Sequence, residues 1–195
     1  MVGFPPVAPS VAWYAAFIRA FANTFDEDKA IQAANARLSS PKEFGRYLFR
    51  NTHGDILVQS MAVEGGGRQL RSFDKIAGLR LSDHGLWRKN HLGALQALLG
   101  KKPFYRHIER ALHDVYSNSE LDTLKEFNMA IFRLINSFLM ENIEVTELSQ
   151  YAEVPVVKAR GQEIAEEMGK DVSVLQALMS YGKETLLGLL AFDND

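Results

Sequence analysis

The stretch of sequence that decides the fold reads FGRYLFRNTHGDILV and covers residues 44–58. Aromatic residues in its first half favour extended backbone. Thr52-His53-Gly54-Asp55 is typical of a hairpin turn, and Ile56-Leu57-Val58 resumes the apolar run. We therefore predict a hairpin here, with a third strand over 76–81 and a short strand over 29–33.

Helices are predicted both before and after these strands in the sequence. Ser10 can cap a first helix that is apolar nearly all round, so we expect that helix to be buried. From Ser82 onward the apolar spacing is helical. We predict that Asp83 caps the next helix, that Gly100 ends it and that Pro103 starts the one after it. Ser119, with Asp122 three residues on, is the predicted cap of a long helix. Pro155 is predicted to open another helix, Asp171 or Ser173 to cap the next, and Gly182 to separate that helix from the last.

Composition indicates a globular chain. Its 195 residues are 47% hydrophobic and 24% charged, which is too apolar for a disordered tail. We expect one domain over residues 1–195, of the α/β class, with a small, mainly N-terminal sheet and a dominant helical C-terminal half. The sequence contains no cysteine, which excludes disulfides, thiolate zinc sites and cysteine nucleophiles.

The charge and the apolar runs limit the partners. The net charge of −2 argues against nucleic acid as the partner. The apolar runs fall short of the roughly 20 residues of a membrane span. Residues 1–9 lack the pattern of a signal peptide, so we expect a cytoplasmic protein. The aromatic first helix is one surface that could form a homodimer.

The richest polar segment is Trp87-Arg88-Lys89-Asn90-His91. It begins a predicted helix, where free backbone N–H groups favour anions. One interpretation is a phosphate or sugar-phosphate site in which His91 acts as acid, base or donor. The other is a solvated basic turn, with Trp87 in the core and His91 half exposed.

Three other polar residues are candidates for binding. Asn128 stands in a series of Leu, Ile and Phe at helical spacing, so it either lines a pocket or makes a structural hydrogen bond. Arg46 and Arg50 are an even number of residues apart and share a strand face. They could clamp an anion, or they could form a polar sheet face.

Patterns typical of metal and hydrolase sites are absent from the sequence. It contains no HExxH or comparable metal pattern and no Gly-x-Ser-x-Gly elbow. We therefore expect neither a metal nor a cofactor.

Six short motifs, in order along the chain, resemble those of the WbqC-like protein family, which is associated with bacterial surface-polysaccharide and O-antigen gene clusters. The motifs are an opening proline and aromatic helix at 9–14; Arg46 with His53-Gly54 and Leu57-Val58; Trp87-x-x-x-His91; Pro103-Phe104-Tyr105; Leu124-x-x-x-Asn128; and a closing helix at 172–178 with Gly182. The resemblance makes Arg46 a better candidate than Arg50, and it places His91 and Asn128 on motif positions.

The chain also departs from the family pattern. Gln32 and Ala34 stand where the family tends to have an acidic residue and a histidine, and Ser40 or Pro41 stands where it tends to have a lysine. Gly45 replaces an asparagine. In the closing motif Gln176 replaces an aspartate. Acid–base chemistry needs the missing groups, so these departures bear on whether catalysis is retained.

Two functions follow from the resemblance. The first is a transferase acting on a nucleotide-sugar or a related activated intermediate in surface-polysaccharide synthesis. In it His91 would be the general acid and base, Arg46 and Lys89 would hold the phosphate, and Asn128 would orient the substrate; Arg50 and Trp87 are further substrate-binding candidates. The alternative is a catalytically degenerate member that keeps the pocket as a ligand-binding or scaffolding module. Both imply a phosphorylated or nucleotide-linked small molecule as the partner.

Overall fold

The computed structural model describes residues 9–140 and 152–192 of the chain. Within these residues, one two-stranded antiparallel sheet lies among helices. The predicted α/β class with helical dominance is therefore confirmed. None of the described helices is long and apolar enough to cross a membrane.

Helices, short 3₁₀ helices and two strands follow one another along the described residues. They are α1 (Val11–Thr24), α2 (Glu27–Asn35), a 3₁₀ helix (Pro41–Gly45), β1 (Arg46–Arg50), β2 (Ile56–Ser60), two further 3₁₀ helices (Gly67–Arg71 and Phe73–Gly78), α3 (Trp87–Leu99), α4 (Tyr105–Ser117), α5 (Leu124–Leu139), α6 (Pro155–Met168), α7 (Val174–Tyr181), a last 3₁₀ helix (Gly182–Glu184) and α8 (Thr185–Ala191).

The hairpin is present as predicted. In its turn, the side-chain Oδ1 of Asn51 accepts hydrogen bonds from the backbone N–H groups of His53 and Asp55, over 2.8 and 2.9 Å. Gly54 adopts a φ of +91°, a conformation that favours glycine. The burial of β1 alternates, with its second and fourth residues buried and both end residues exposed. Arg46 therefore faces outward at the start of the strand.

The predicted strand over 29–33 is wrong, because these residues belong to α2. The side chain of Asp26 caps that helix by accepting a 3.0 Å bond from the backbone N–H three residues on. Ala30, Ile31 and Ala34 are buried, and their spacing places them on one helix face. A run of five residues is too short to distinguish the period of a helix from that of a strand. The capping residue Asp26 is the signal that indicates a helix here.

The predicted third strand over 76–81 is also wrong. Phe73–Gly78 forms a 3₁₀ helix, and the residues after it pair only in isolated bridges. Leu79 and Leu81 are buried on either side of the exposed Arg80, but this short extended stretch forms bridges only and no strand.

Two predicted helix caps are wrong. Asp83 does not cap α3, whose N-cap is Leu86 without any side-chain bond. Ser119 does not cap α5 either. Thr123 holds that position, and its hydroxyl and the carboxylate of Glu126 form a reciprocal capping box.

The remaining predicted boundaries hold, apart from Pro103, which lies two residues before the start of α4. The confirmed positions are Ser10 before α1, Gly100 after α3, Pro155 at the start of α6, Ser173 before α7 and Gly182 after it. Gly182 has a φ of +57°, in the left-handed region that glycine tolerates best.

The aromatic first helix lies in the core. Trp13 and Phe17 are at most 4% exposed, and both rings pack edge-to-face on Phe132 of α5. This aromatic face is covered by the protein's own residues. It is therefore not available as the homodimer surface considered from the sequence.

The start of α1, the start of α7 and strand β1 are joined by backbone hydrogen bonds. The N–H of Ser173 donates to the carbonyl of Leu48 over 2.7 Å, and the N–H of Val11 donates to the carbonyl of Val172 over 2.9 Å. These bonds bring three distant parts of the chain to one edge of the sheet.

Candidate functional site

A cavity of about 300 Å³ lies where β1, α1 and α7 meet. Arg46 and Lys42 line it, as do four serines, Ser10, Ser39, Ser40 and Ser173. Its volume is at the lower end of the range for small-molecule sites.

Three of these serines, Ser10, Ser40 and Ser173, are the N-cap residues of α1, of the first 3₁₀ helix and of α7. Each hydroxyl oxygen accepts a 3.3 Å bond from a backbone N–H of its own helix. None of the three hydroxyls donates to another side chain or carbonyl among the described residues, so each proton can be donated to a ligand. The N-termini of α1 and α7 add positive potential, so the cavity favours an anion.

Arg46 and Lys42 supply formal positive charge. Both side chains are exposed, and neither forms an ion pair or a side-chain hydrogen bond with the described residues. The neighbouring carboxylate of Glu43 is occupied, because its Oε1 accepts bonds from both the backbone and the hydroxyl of Ser39 and from the backbone of Ser40. The two cations are thus available to an incoming anion.

Arg50 lies at the other end of β1 and lines a different cavity, of about 260 Å³. Its guanidinium covers Gly169, where an added Cβ would come within 2.6 Å of Nη2. Arg46 and Arg50 share a strand face, as predicted from their spacing, but the structure does not bring them to one cavity.

His91 is 7% exposed and packs edge-to-face on Trp87. Its Nε2 lies 3.1 Å from the carbonyl oxygen of Ser60, and since a carbonyl only accepts, Nε2 carries the proton. Burial lowers the pKa of His91 from its usual 6.5, although the bond to Ser60 opposes the shift. The imidazole is neutral at pH 7, and it lines none of the cavities described here.

Asn128 is fully buried in α5. Its amide Nδ2 donates to the carbonyl of Phe44 over 2.8 Å, while its Oδ1 has no partner among the described residues. The geometry is that of the structural hydrogen bond considered from the sequence. Asn128 joins α5 to the residues that precede β1.

The basic segment at the start of α3 is largely occupied by structural contacts. The indole N–H of Trp87 donates to the carbonyl of Ser82 over 2.9 Å. The guanidinium of Arg88 stacks on the Trp87 ring at 5.1 Å and donates to the carbonyls of Tyr116 and Asn118, at the end of α4. Lys89 is exposed and lines none of the cavities described here.

The side chain of Gln176 is hydrogen-bonded to the backbone of β1. Its Oε1 accepts from the backbone N–H of Arg50 over 2.8 Å, and its Nε2 donates to the carbonyl of the same residue over 3.0 Å. The amide thus continues the strand pairing on the outer edge of β1. An aspartate, as in the family motif, could accept but not donate when ionised.

Of the predicted site residues, the structure places Arg46 alone at the cavity between α1, α7 and β1. His91 contacts the hairpin at the carbonyl of Ser60, and Asn128 contacts the carbonyl of Phe44, two residues before β1. The sequence reasoning missed Lys42 as a lining residue, although it stands one or two positions after the family's lysine. It identified Ser10 and Ser173 only as caps, because nothing local indicates that two helix starts meet.

Titratable side chains form no group that could hold a metal ion anywhere in residues 9–140 and 152–192. The polar groups that line the cavity are hydroxyls, cationic side chains and carboxylates.

Comparison with known proteins identifies the family. Residues 46–186 match the model of the WbqC-like protein family, and the chain belongs to that family. The match covers the hairpin, the Trp87-to-His91 motif and the closing helix. No curated protein and no solved structure matches the chain.

Proposed function

We propose that the protein is a ligand-binding member of the WbqC-like family. In this proposal the cavity around Arg46 holds a phosphorylated or nucleotide-linked small molecule in bacterial surface-polysaccharide biosynthesis, and the protein acts in the cytoplasm. One observation carries the proposal: Arg46 and Lys42, which have no ion-pair partner among the described residues, line a cavity that serine-capped helix starts also line.

The other residues take supporting roles in this proposal. His91, Asn128 and Trp87 hold the hairpin and its surroundings and do not touch the ligand. Arg50 and Lys89 lie outside the cavity. The homodimer remains a prediction, and α1 is not the surface that would form it.

Binding can be tested by thermal shift in phosphate-free buffer. The probes are inorganic phosphate, glucose 1-phosphate and UDP-glucose. A ligand at a hundred times its Kd stabilises the native state by about 2.7 kcal/mol. We expect stabilisation by at least one probe, its loss in Arg46→Gln, and no change in Lys89→Gln, which removes an exposed cation outside the cavity. No stabilisation by any probe would overturn the proposal.

A transferase is the second candidate, favoured by one carboxylate in the cavity. Asp171 lines it and makes no side-chain bond to the described residues, so it could act as a general base. Release of UDP from UDP-glucose in the presence of an acceptor sugar would support the transferase if Asp171→Asn abolishes it. Binding without turnover would favour the binding module.

A further inference from the structure

A second cavity continues the first. It has a volume of about 310 Å³ and shares Ser10, Ser39, Glu43 and Asp171 with the cavity around Arg46. Four common lining residues make the two cavities parts of one cleft. Trp13 and Leu38 give its second part an apolar wall.

The cleft is basic at both ends. Lys42 and Arg46 line one part, and Arg37 and Lys170 line the other. All four side chains are exposed, and in the described part of the chain none of them has an ion-pair partner. Two separate cationic ends accommodate two separate anionic groups.

The shared middle of the cleft has the opposite character. Its carboxylates, Glu43 and Asp171, would repel a phosphate placed between the ends. The Asp171 carboxylate can accept hydrogen bonds, and the Ser10 hydroxyl can donate one. The Ser39 hydroxyl already donates to Oε1 of Glu43, so it can only accept from a ligand. The middle is therefore suited to uncharged hydroxyl groups.

The walls of the cleft are held by backbone bonds. The N–H of Ala12 donates to the carbonyl of Lys170 over 3.0 Å, so the segment before α7 is fixed to the start of α1. The N–H of Arg37 donates to the carbonyl of Ala34 at the end of α2. Both cations of the second end thus project from ordered backbone.

From this charge pattern we infer that the ligand is a sugar with two acidic groups at opposite ends, such as a sugar bisphosphate or a phosphorylated sugar acid. The inference rests on the proposed function for its Arg46 end. It narrows the ligand class, because a nucleoside diphosphate-sugar carries its two phosphates side by side, whereas the cleft separates its cations by carboxylates.

Isothermal titration calorimetry with three probes tests the inference. The probes are glucose 1,6-bisphosphate, glucose 1-phosphate and UDP-glucose, each titrated into the native protein and into Arg46→Gln, Arg37→Gln and Lys89→Gln. We expect the bisphosphate to bind at least tenfold more tightly than the monophosphate. Arg37→Gln should lower the bisphosphate affinity about tenfold while changing the monophosphate affinity about twofold. Lys89→Gln should change neither.

The failure of this inference is distinguishable from that of the proposed function. Equal affinities for bisphosphate and monophosphate, both lowered by Arg46→Gln and not by Arg37→Gln, would overturn the two-ended ligand and leave the anion site standing. Tighter binding of UDP-glucose than of the bisphosphate would do the same. Absence of binding by all three probes would overturn both. The substituted side chains are exposed, and circular dichroism of each variant checks that it is folded.

Discussion

The Nε2 atom of His91 lies 3.1 Å from the carbonyl oxygen of Ser60, and Ser60 is the residue paired with Arg46 in the hairpin. Two residues before Arg46, the carbonyl of Phe44 accepts the amide of Asn128. Two polar side chains on family motif positions therefore hold the backbone on which Arg46 stands. Their effect on any ligand at Arg46 would be indirect, through the position of the hairpin.

Replacing His91 by alanine should destabilise the fold. The change removes the bond to Ser60 and leaves a cavity beside Trp87, and we expect a loss of about 2–3 kcal/mol in the free energy of unfolding. Urea denaturation followed by circular dichroism measures it. His84→Ala is the matched control, because His84 is exposed and its side chain makes no bond within the described residues. Equal stability of the two variants would contradict a structural role for His91.

The lowered pKa of His91 predicts a pH dependence of stability. Because the folded pKa lies below the unfolded value of 6.5, the unfolded chain binds the proton first as the pH falls. The contribution of His91 is complete above about pH 6.5 and is lost as the pH falls toward the folded pKa, by at most about 1.4 kcal/mol per pH unit.

His91→Gln isolates this contribution, since the glutamine amide can donate to Ser60 but does not titrate. We expect the stability difference between native protein and His91→Gln to shrink or reverse on acidification from pH 7.5 to pH 5.5, measured by urea denaturation at each pH. A difference that stays constant over this range would show that His91 titrates equally in both states.

Asn128→Asp should destabilise the protein strongly near neutral pH. An ionised aspartate cannot donate to the carbonyl of Phe44 and would place an unpaired charge in the core, at a cost of about 3 kcal/mol or more. Protonation restores a donor, so the variant should regain relative stability as the pH falls. Asn90→Asp is the control, because Asn90 is exposed on α3. Denaturation midpoints at pH 5 and pH 8 check the prediction, and a pH-independent loss in Asn128→Asp would contradict it.

The structure places the N-cap of α5 at Thr123, whereas the cap predicted from the sequence is Ser119. Thr123→Ala should cost about 1 kcal/mol, since it removes the hydroxyl of the capping box with Glu126. Ser119→Ala should cost little, because the exposed Ser119 makes no side-chain bond to the described residues. Thermal unfolding of the two variants compares them, and a larger loss in Ser119→Ala would be inconsistent with the observed cap.

The hairpin could be predicted because its information is local: aromatic residues precede a turn built on Asn51 and Gly54, and an aliphatic run follows it. The cap of α5 could also have been found, since Thr-x-x-Glu is a capping box and Ser-x-x-Asp is not. The cleft could not be predicted from the sequence. Its residues Ser10, Arg46 and Ser173 lie far apart in sequence, and backbone pairing between helix starts brings them together. Spacing marked Asn128 as a polar residue on an apolar face, but spacing cannot tell a ligand from a backbone carbonyl as its partner.

Gln176, which stands where the family resemblance places an aspartate, contributes to stability through its two hydrogen bonds to Arg50. Gln176→Glu keeps the oxygen that accepts from the N–H of Arg50 but removes the donor to its carbonyl, so we expect a loss of about 1 kcal/mol. Gln162→Glu, at an exposed position of α6, makes the same chemical change without that contact and should be nearly neutral. Urea denaturation at pH 7 compares them. The carbonyl of Arg50 lies on the outer edge of β1, so amide hydrogen exchange in the hairpin should accelerate in Gln176→Glu alone; equal exchange rates in the two variants would show that the glutamine does not fasten the strand.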